Sequence, residues 1–305
     1  YKRQAQAIRW EMEDLEVLPL PSERTINRIL ARNDLTHRRT GRYEPKGVAY
    51  PGLPSGRPNQ THQADVVGPR FLRGTIRFYC QNAIDVSRSR SGVEPLSGKD
   101  SQSIINGFWD IWLRLGIPEN LQVDNELSYY GSHRYPRGMG ALIRLCLHLG
   151  IELWFIPMAE PWRNGVIEKF NDHYEQKFLN KVTMTSFDEL VTGSLAFENR
   201  HNSRYRYSKL GGKTPLVTLR NTKAKLCFPT EEKPPVHPLS KPETGRYHLV
   251  RFIRSDRKLN IFGETYSLPP ELQYEYVVAT VDVKEQKLKI FLGHAQVDEL
   301  DYKLR

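Results

Sequence analysis

The chain has 305 residues, of which 39% are hydrophobic and 10% aromatic, and it carries a formal net charge of +10. This composition predicts a globular protein with a sizeable core, and the length allows two to three domains. No apolar run of about 18 residues occurs and no signal peptide is visible, so no membrane-spanning helix is expected. The positive charge favours nucleic-acid binding, because Lys and Arg displace counterions from phosphates.

The first 34 residues predict two helices joined by a short turn. Ser22 is expected to cap the second helix, at 23–33, with Ile26, Ile29 and Leu30 turned inward. The outer face of that helix has arginines at helical spacing, at positions Arg24, Arg28 and Arg32. This outline is typical of a helix-turn-helix segment that contacts DNA. A solvated basic hairpin would have the same pattern.

Residues 35–60 are rich in glycine, proline and basic side chains, and we interpret them as an extended basic linker. Three of the arginines are candidate contacts to a DNA backbone: Arg38, Arg39 and Arg42. A solvated tether is the alternative interpretation of this segment.

Residues 61–220 change character and predict an α/β domain. Strands are expected at 63–67, 75–85, 91–96, 121–124 and 151–156, and helices at 101–115 and 141–149. Asn164 is expected to cap a further helix at 165–178, and Ser186 begins another. The order indicates a mixed sheet with helices on its faces.

The C-terminal part predicts a second linker and a small all-β domain. Residues 221–246 contain five prolines and are interpreted as a Pro-rich linker. Six short strands follow within 247–305, for which a small β-barrel is the natural architecture. The three cysteines are far apart, which predicts free thiols in a reducing cytoplasm rather than a disulfide framework.

Three carboxylates form the candidate site. Asp65 lies inside the first predicted strand of the α/β domain, where aspartate is disfavoured, and Asp124 ends the fourth. Glu168 lies in the first turn of the helix at 165–178. Converging carboxylates repel one another, and Mg²⁺ or Mn²⁺ relieves that repulsion. Two such ions about 4 Å apart support in-line phosphoryl transfer, so the set predicts a two-metal site.

The segments around these residues resemble the DDE transposase and retroviral integrase superfamily, which includes many bacterial insertion-sequence transposases. They read HQADVVG around Asp65, LQVDNE around Asp124 and NGVIEKFN around Glu168. The stretches NAIDVSRSRSG at 82–92 and HNSRYRYSKLGGKTPLV at 201–217 are similar to further parts of that family. The resemblance covers about 61–220 and implies an RNase H-like catalytic core.

The third carboxylate has a rival in Glu160. In the family that the sequence resembles, the number of residues between the second and third carboxylates is commonly the number between Asp124 and Glu160. Glu168 lies eight residues further on. We favour Glu168, because Glu160 lies in the loop sequence PMAEP without helical support. The additional residues would be accommodated by an insertion near 131–140. Glu126 also departs from the family, which usually has glycine there.

The resemblance implies metal-dependent cleavage at the ends of a mobile element and transfer of the 3′-OH into target DNA, with two Mg²⁺ or Mn²⁺ ions. It also implies homo-oligomers on DNA, accessory transposition proteins as possible partners, no membrane, and a place near the bacterial nucleoid. Basic residues expected to flank the site and hold phosphates are Arg163, Lys169 and Lys177. The alternatives are an inactive transposase-derived DNA-binding protein and an RNase H-like nuclease.

Overall fold

The structure is a computed structural model that describes residues 5–35, 49–73, 75–132, 134–135 and 137–305. The described residues form two compact units. The smaller comprises those of Tyr1–Gly47 together with Arg206–Thr214, and the larger those of Val48–Tyr205 and Pro215–Arg305.

The smaller unit contains the two predicted N-terminal helices, α1 (Ala5–Asp14) and α2 (Glu23–Arg32). Ser22 Oγ accepts a hydrogen bond from the backbone N–H of Thr25 at 3.2 Å, so the predicted cap is confirmed. Ile26 is buried as predicted, but Ile29 is 49% exposed. The prediction for Ile29 is wrong because the short helices cover only a narrow stripe around Ile26.

The outer face of α2 is exposed along its whole length, including Arg24, Arg28 and Arg32. The other three candidate DNA contacts of the N-terminal part, Arg38, Arg39 and Arg42, lie outside the described residues. The segment Arg206–Thr214 belongs to this unit, where Arg206 forms ion pairs with Glu13 at 2.9 Å and with Asp14 at 2.5 Å.

The larger unit is built on a nine-stranded sheet. Its strands lie in the order β11-β10-β9-β6-β5-β4-β1-β2-β3, and β7 and β8 form a separate two-stranded hairpin. The bounds are β1 (Thr61–Leu72), β2 (Ile76–Asp85), β3 (Ser91–Leu96), β4 (Asn120–Val123), β5 (Glu152–Phe155), β6 (Arg246–Phe252), β7 (Lys258–Ile261), β8 (Glu264–Ser267), β9 (Tyr276–Asp282), β10 (Lys287–Leu292) and β11 (Ala295–Asp301).

The five strands β1 to β5 confirm the predicted RNase H-like sheet. β1, β2 and β3 pair antiparallel, whereas β4 pairs parallel with β1 and β5 pairs parallel with β4. The parallel strands need crossover connections, and helices supply them. The remaining helices are α3 (Ser101–Leu115), α4 (Leu127–Tyr130), α5 (Ala141–His148), α6 (Gly165–Tyr174), α7 (Phe187–Arg204) and α8 (Pro215–Arg220).

The two faces of the sheet are covered by different helices. Buried apolar residues of α3 and α5 pack with β1, β4 and β5 in one core. The second core joins α6 and α7 to β2, through buried residues that include Ile167, Phe170 and Tyr174. These residues form an apolar stripe on the helix that carries Glu168. A π-helical turn, Glu175–Leu179, extends α6 and adds Phe178 to the stripe.

Helix α7 covers the edge strand β3 with side chains that replace a missing neighbour strand. The Asn202 amide accepts from the backbone N–H of Ser91 at 2.9 Å and donates to its carbonyl at 2.8 Å. Glu198 Oε2 accepts from the backbone N–H of Val93 at 2.8 Å. The edge is therefore not available for pairing with another strand at these positions.

The C-terminal strands are present as predicted, and their pairing goes beyond the prediction. β6 pairs parallel with β5, so that β6, β9, β10 and β11 extend the sheet of the RNase H-like part. The Pro-rich segment before β6 lies along α3: Trp109 Nε1 donates to the Glu231 carbonyl at 3.1 Å. Among the described residues, no helix combines the length and the hydropathy that a membrane crossing requires.

Candidate active site

The register of β1 and β4 brings two aspartates to neighbouring positions. The strands pair in parallel with Gln63 opposite Gln122. Asp65 and Asp124 each lie two residues further along, and alternate residues of a strand point to the same face. Adjacent strands are about 4.8 Å apart, so both aspartates meet on one face of the sheet, where Asp124 directly follows the end of β4.

Both oxygens of the Asp65 carboxylate accept hydrogen bonds. Oδ1 accepts from the backbone N–H of Val66 at 2.8 Å, and Oδ2 accepts from Asn171 Nδ2 at 2.8 Å. Asn171 lies on α6, three residues beyond Glu168, and its Oδ1 accepts from Asn82 of β2. The orientation of Asp65 is thereby fixed from β2 and from α6.

Asp124 lies beside a half-buried ion pair. Its Oδ1 accepts from the backbone N–H of Glu126 at 3.2 Å, and the Glu126 carboxylate lies 2.9 Å from Lys99 Nζ. Lys99 also lies over the ring of Tyr79, 5.5 Å from its centroid. The fourth carboxylate, that of Glu126, is thus paired with a lysine that lies two residues before α3.

Glu168 lies in the first turn of α6 and is half-buried. The predicted capping of this helix by Asn164 is wrong: the Asn164 side chain makes no cap hydrogen bond, because Pro161–Asn164 forms a 3₁₀ turn that runs into α6. Instead Asn164 Nδ2 donates to the Ala64 carbonyl at 3.0 Å. The helix is capped from β1, where Gln63 Oε1 accepts from the backbone N–H groups of Val166 and Ile167.

The three carboxylates are electrostatically coupled through Asp65. Burial raises the pKa of Asp65 above its ordinary value. Burial and then the charge of Asp65 raise the pKa of Asp124 to about 6. Burial, followed by the charges of Asp65 and Asp172, also raises the pKa of Glu168. These directions indicate a site in which negative charge is not compensated by the protein alone.

The donor chemistry of this site fits Mg²⁺ or Mn²⁺, since carboxylate oxygens are the ligands these ions prefer. Within the described ranges, however, no group of three or more His, Cys, Asp or Glu side chains is close enough to hold one ion. The arrangement instead makes Asp65 the member that acts on both Asp124 and Glu168.

Glu160, the rival third carboxylate, belongs to a different cluster. Its side chain is 14% exposed and pairs with Arg163 at 2.9 Å. The Tyr276 hydroxyl donates to it at 2.8 Å, and Arg163 donates to that same hydroxyl at 2.8 Å. Arg163 also lies 4.0 Å from the ring centroid of Tyr50. Arg163 is therefore engaged with the C-terminal strands, and its predicted phosphate contact would have to compete with these partners.

The other two basic candidates near the site lie on α6 and its extension. Lys169 follows Glu168 and is exposed, whereas Lys177 is half-buried in the π-helical turn. Sequence reasoning missed Gln63, Gln122, Asn171 and Lys99. One signal could have found the glutamines, because each lies two residues before a candidate aspartate, in the pattern Gln-x-Asp at 63–65 and at 122–124.

With Asp65 inside β1, Asp124 directly after β4 and Glu168 on α6, the sheet defines the class of RNase H-like cores that carry an acidic site. Within this class, a family model described as the integrase core domain matches residues 149–215, a range that includes Glu168. The match confirms the resemblance to the DDE transposase and retroviral integrase superfamily, and it indicates DNA integration or transposition as the general function. Comparison with curated proteins finds no match.

Solved integrase structures are similar at low identity. The HTLV-2 integrase catalytic core domain in complex with magnesium is 17% identical, with 52% of this chain and 95% of that chain covered and a TM-score of 0.40. The simian T-cell lymphotropic virus intasome in complex with PP2A regulatory subunit B56 gamma is 14% identical, with 93% and 90% covered and a TM-score of 0.48. The catalytic core domain of BIV integrase is 14% identical, with 53% and 95% covered and a TM-score of 0.38.

Proposed function

We propose that this chain is a DNA transposase or integrase that cleaves the ends of a mobile element and joins the 3′-OH to target DNA. Asp65, Asp124 and Glu168 are the proposed catalytic carboxylates. The observation that carries the proposal is the position of Asp65: the β1–β4 register sets it beside Asp124 on one face of the sheet, and Asn171 joins it to the helix of Glu168. A carboxylate shared between two partners is what a pair of adjacent ions requires.

The proposed ligands divide into two pairs. Asp65 with Asp124, and Asp65 with Glu168, would each hold one Mg²⁺ or Mn²⁺ ion. Such ions, when bound, activate a water or a 3′-OH and stabilise the leaving oxygen in an in-line displacement. The chain itself holds the carboxylates in place: Val66 and Asn171 orient Asp65, and the Glu126 backbone orients Asp124.

The basic surfaces supply the proposed DNA contacts. Arg24, Arg28 and Arg32 would bind element ends or target DNA through the exposed face of α2, and Lys169 would hold a phosphate beside Glu168. Two DNA ends must be joined to one target, so we expect the protein to work as a homo-oligomer on DNA. We also expect it to act on DNA at the nucleoid of a bacterial cell, with accessory transposition proteins as possible partners.

Strand transfer is the test. The full chain is incubated with its native flanking DNA, a target plasmid and Mg²⁺, and joined products are sequenced. Asp65→Asn and Asp124→Asn should lower the yield of joined products by more than about 1,000-fold while they keep DNA binding, since bound ions would lower the barrier by several kcal/mol. Normal strand transfer by Asp124→Asn would overturn the assignment.

The matched pair Glu168→Gln and Glu160→Gln decides the third carboxylate. Both remove one negative charge from the same stretch of chain, but only Glu168 lies on α6 beside Asp65. Glu168→Gln should abolish strand transfer and Glu160→Gln should retain it. Metal-dependent cleavage without any joined product would favour a nuclease, and DNA binding without metal-dependent chemistry would favour an inactive derivative.

A further inference from the structure

The two aspartate-bearing strands share a second feature. Each has a glutamine two residues before its aspartate, and Gln63 of β1 pairs opposite Gln122 of β4. Both glutamines are buried, at 8% and 6% exposed. A buried amide must find hydrogen-bond partners, and these two find theirs in the chain that leads into α6.

Gln63 acts mainly as an acceptor, and its Nε2 makes only a long hydrogen bond, to the Arg163 carbonyl at 3.5 Å. Its Oε1 receives hydrogen bonds from the backbone N–H groups of Val166 at 3.0 Å and of Ile167 at 3.1 Å. The first N–H groups of a helix have no partner within the helix, so this side chain satisfies two of them. The second of these groups, that of Ile167, immediately precedes Glu168.

Gln122 acts as a donor. Its Nε2 donates to the Arg163 carbonyl at 2.8 Å and to Asn164 Oδ1 at 3.3 Å. Asn164 in turn donates from Nδ2 to the Ala64 carbonyl, which lies between Gln63 and Asp65. The turn before α6 is therefore hydrogen-bonded to both strands, and its bond to β1 is at Ala64, the residue next to Asp65.

We infer that Gln63 and Gln122 are positioning residues that set the location of Glu168 relative to Asp65 and Asp124. This inference rests on the proposed function, because it assigns the glutamines a role in the reaction that Glu168 serves. The paired strands β1 and β4 then position Asp65 and Asp124 directly, and they position Glu168 through the start of α6. A side-chain cap from the sheet fixes the helix start more closely than a local cap, since the sheet is the rigid element.

Substitution by glutamate, which has nearly the same shape as glutamine, separates the acceptor role of Gln63 from the donor role of Gln122. Gln63→Glu and Gln122→Glu each add one negative charge two residues from an aspartate, so their effects on the charge of the site are matched. Gln63→Glu keeps the acceptor of the two N–H groups and loses only the long bond to the Arg163 carbonyl. A carboxylate also suits the positive end of a helix. Gln122→Glu loses its donor and sets a carboxylate against the oxygens of Arg163 and Asn164.

The measurement is strand transfer by the full chain on its native flanking DNA with Mg²⁺, as a rate at saturating DNA and as the DNA concentration for half-maximal rate. We expect Gln122→Glu to lower the saturated rate by about 100-fold, as a displacement near 1 Å does, and to leave the half-maximal DNA concentration within about twofold. Gln63→Glu should lower the rate by less than about fivefold. Equal losses in the two variants would overturn the inference, because charge alone would then explain them.

Two further variants test the same hydrogen bonds without a buried charge, which could by itself prevent folding. Gln122→Met and Gln63→Leu remove the hydrogen bonds without adding charge, and both should lower the saturated rate by about 10-fold or more. Amide hydrogen exchange at Val166 and Ile167 should accelerate in Gln63→Leu and stay at the wild-type rate in Gln63→Glu. Wild-type exchange in Gln63→Leu would overturn the inference. The exchange readout needs no activity, so a wild-type chain without strand transfer would count against the proposed function alone.

Discussion

Asn171 Nδ2 lies 2.8 Å from Asp65 Oδ2 and joins the helix of Glu168 to the strand of Asp65. Residues three apart on a helix lie on the same face, so Asn171 and Glu168 both turn toward the aspartates. Asn82 Nδ2 donates to Asn171 Oδ1 at 2.8 Å, which orients the amide with its NH₂ group toward Asp65. This donor favours the charged form of Asp65, the form that would bind a cation.

Asn171→Ala should therefore affect both stability and the proposed reaction. It leaves the buried Asn82 amide without its acceptor, so the free energy of unfolding should fall by about 1–3 kcal/mol. Strand transfer should fall by about 10-fold or more, because Asp65 loses its orienting partner. Denaturant unfolding and the joined-product assay measure the two effects. Asn180→Ala, at an exposed position after the π-helical turn, is the control and should change neither.

Asp124→Asn should stabilise the metal-free protein. The folded pKa of Asp124, about 6, lies above the ordinary value of 3.8, so the fold disfavours the carboxylate. Stability associated with this group is fully present below pH 3.8 and is lost as the pH rises through 6. In EDTA at pH 7 the variant should gain about 1–3 kcal/mol, with no gain at pH 4.

The same variant should respond less to Mg²⁺. Addition of Mg²⁺ at pH 7 should raise the unfolding temperature of the wild-type protein, because the ion relieves repulsion between Asp65 and Asp124. Asp124→Asn should show a smaller rise. Equal Mg²⁺-dependent shifts in the two proteins would contradict the proposed ligand role of Asp124.

Lys99 should weaken metal binding, because its charge compensates a small part of the negative charge of the acidic site. It pairs with Glu126 at 2.9 Å and lowers the pKa values of Asp65 and Asp124, against the larger effect of burial. Lys99→Met should therefore tighten Mg²⁺ binding severalfold in calorimetry, at a loss of roughly 1 kcal/mol of stability. Lys99→Arg keeps the charge and should bind Mg²⁺ as the wild type does. Weaker Mg²⁺ binding by Lys99→Met would contradict this expectation.

His62 should make folding sensitive to acid. The side chain is fully buried beside Asn59, with Nε2 3.1 Å from Asn59 Oδ1. Burial, and secondly the charge of Arg90, lowers its pKa to about 3. Between pH 6.5 and 3 the unfolded chain binds a proton that the folded chain does not, so stability falls as the pH falls through this window.

The measurement is the free energy of unfolding against pH for the wild type and His62→Gln. The variant should reduce the slope between pH 4 and 6 by about 1.4 kcal/mol per pH unit, the value for one proton. His201, whose pKa burial also lowers to about 3, should maintain part of the slope in both proteins. An unchanged slope would show that His62 is not the neutral buried group inferred here.

The arginine face of α2 should contribute a salt-dependent part of DNA binding. Replacement of Arg24, Arg28 and Arg32 by Ala should reduce the slope of log K against log salt by about 0.9 for each phosphate that these side chains neutralise. The control replaces the exposed residues Arg254, Arg257 and Lys258, with the same change of charge. An equal reduction of the slope in the control would mean that net charge, rather than the α2 face, is responsible.

Much of the fold could be predicted because its signals are local. Ser22 caps α2 as its position indicates, and the strands of the RNase H-like sheet lie where apolar alternation indicates them. The start of α6 could not be predicted in this way. Its cap is Gln63, about 100 residues earlier, so the local rule selected Asn164, which instead bonds to the Ala64 carbonyl.

The choice between the two glutamates shows the same limit. The loop sequence around Glu160 correctly indicated a poor helical context, but its partner Tyr276 lies in β9, more than 100 residues away. The sequence predicted that Asp65 lies inside the first strand of the α/β domain and that Asp124 ends the fourth. It could not predict the Gln63–Gln122 register or the Lys99–Glu126 ion pair, because both depend on how separate elements meet.

The pairing of β6 with β5 has a consequence for any attempt to isolate the catalytic part of the chain. A fragment that ends at residue 220 would leave the backbone groups of β5 without their partners at Tyr247, His248 and Leu249. It would also expose the apolar side chains of the remaining core that the buried residues of β6 and β9 cover. Such a fragment should aggregate through its new edge. The C-terminal strands therefore cover an edge of the sheet that would otherwise pair with other chains.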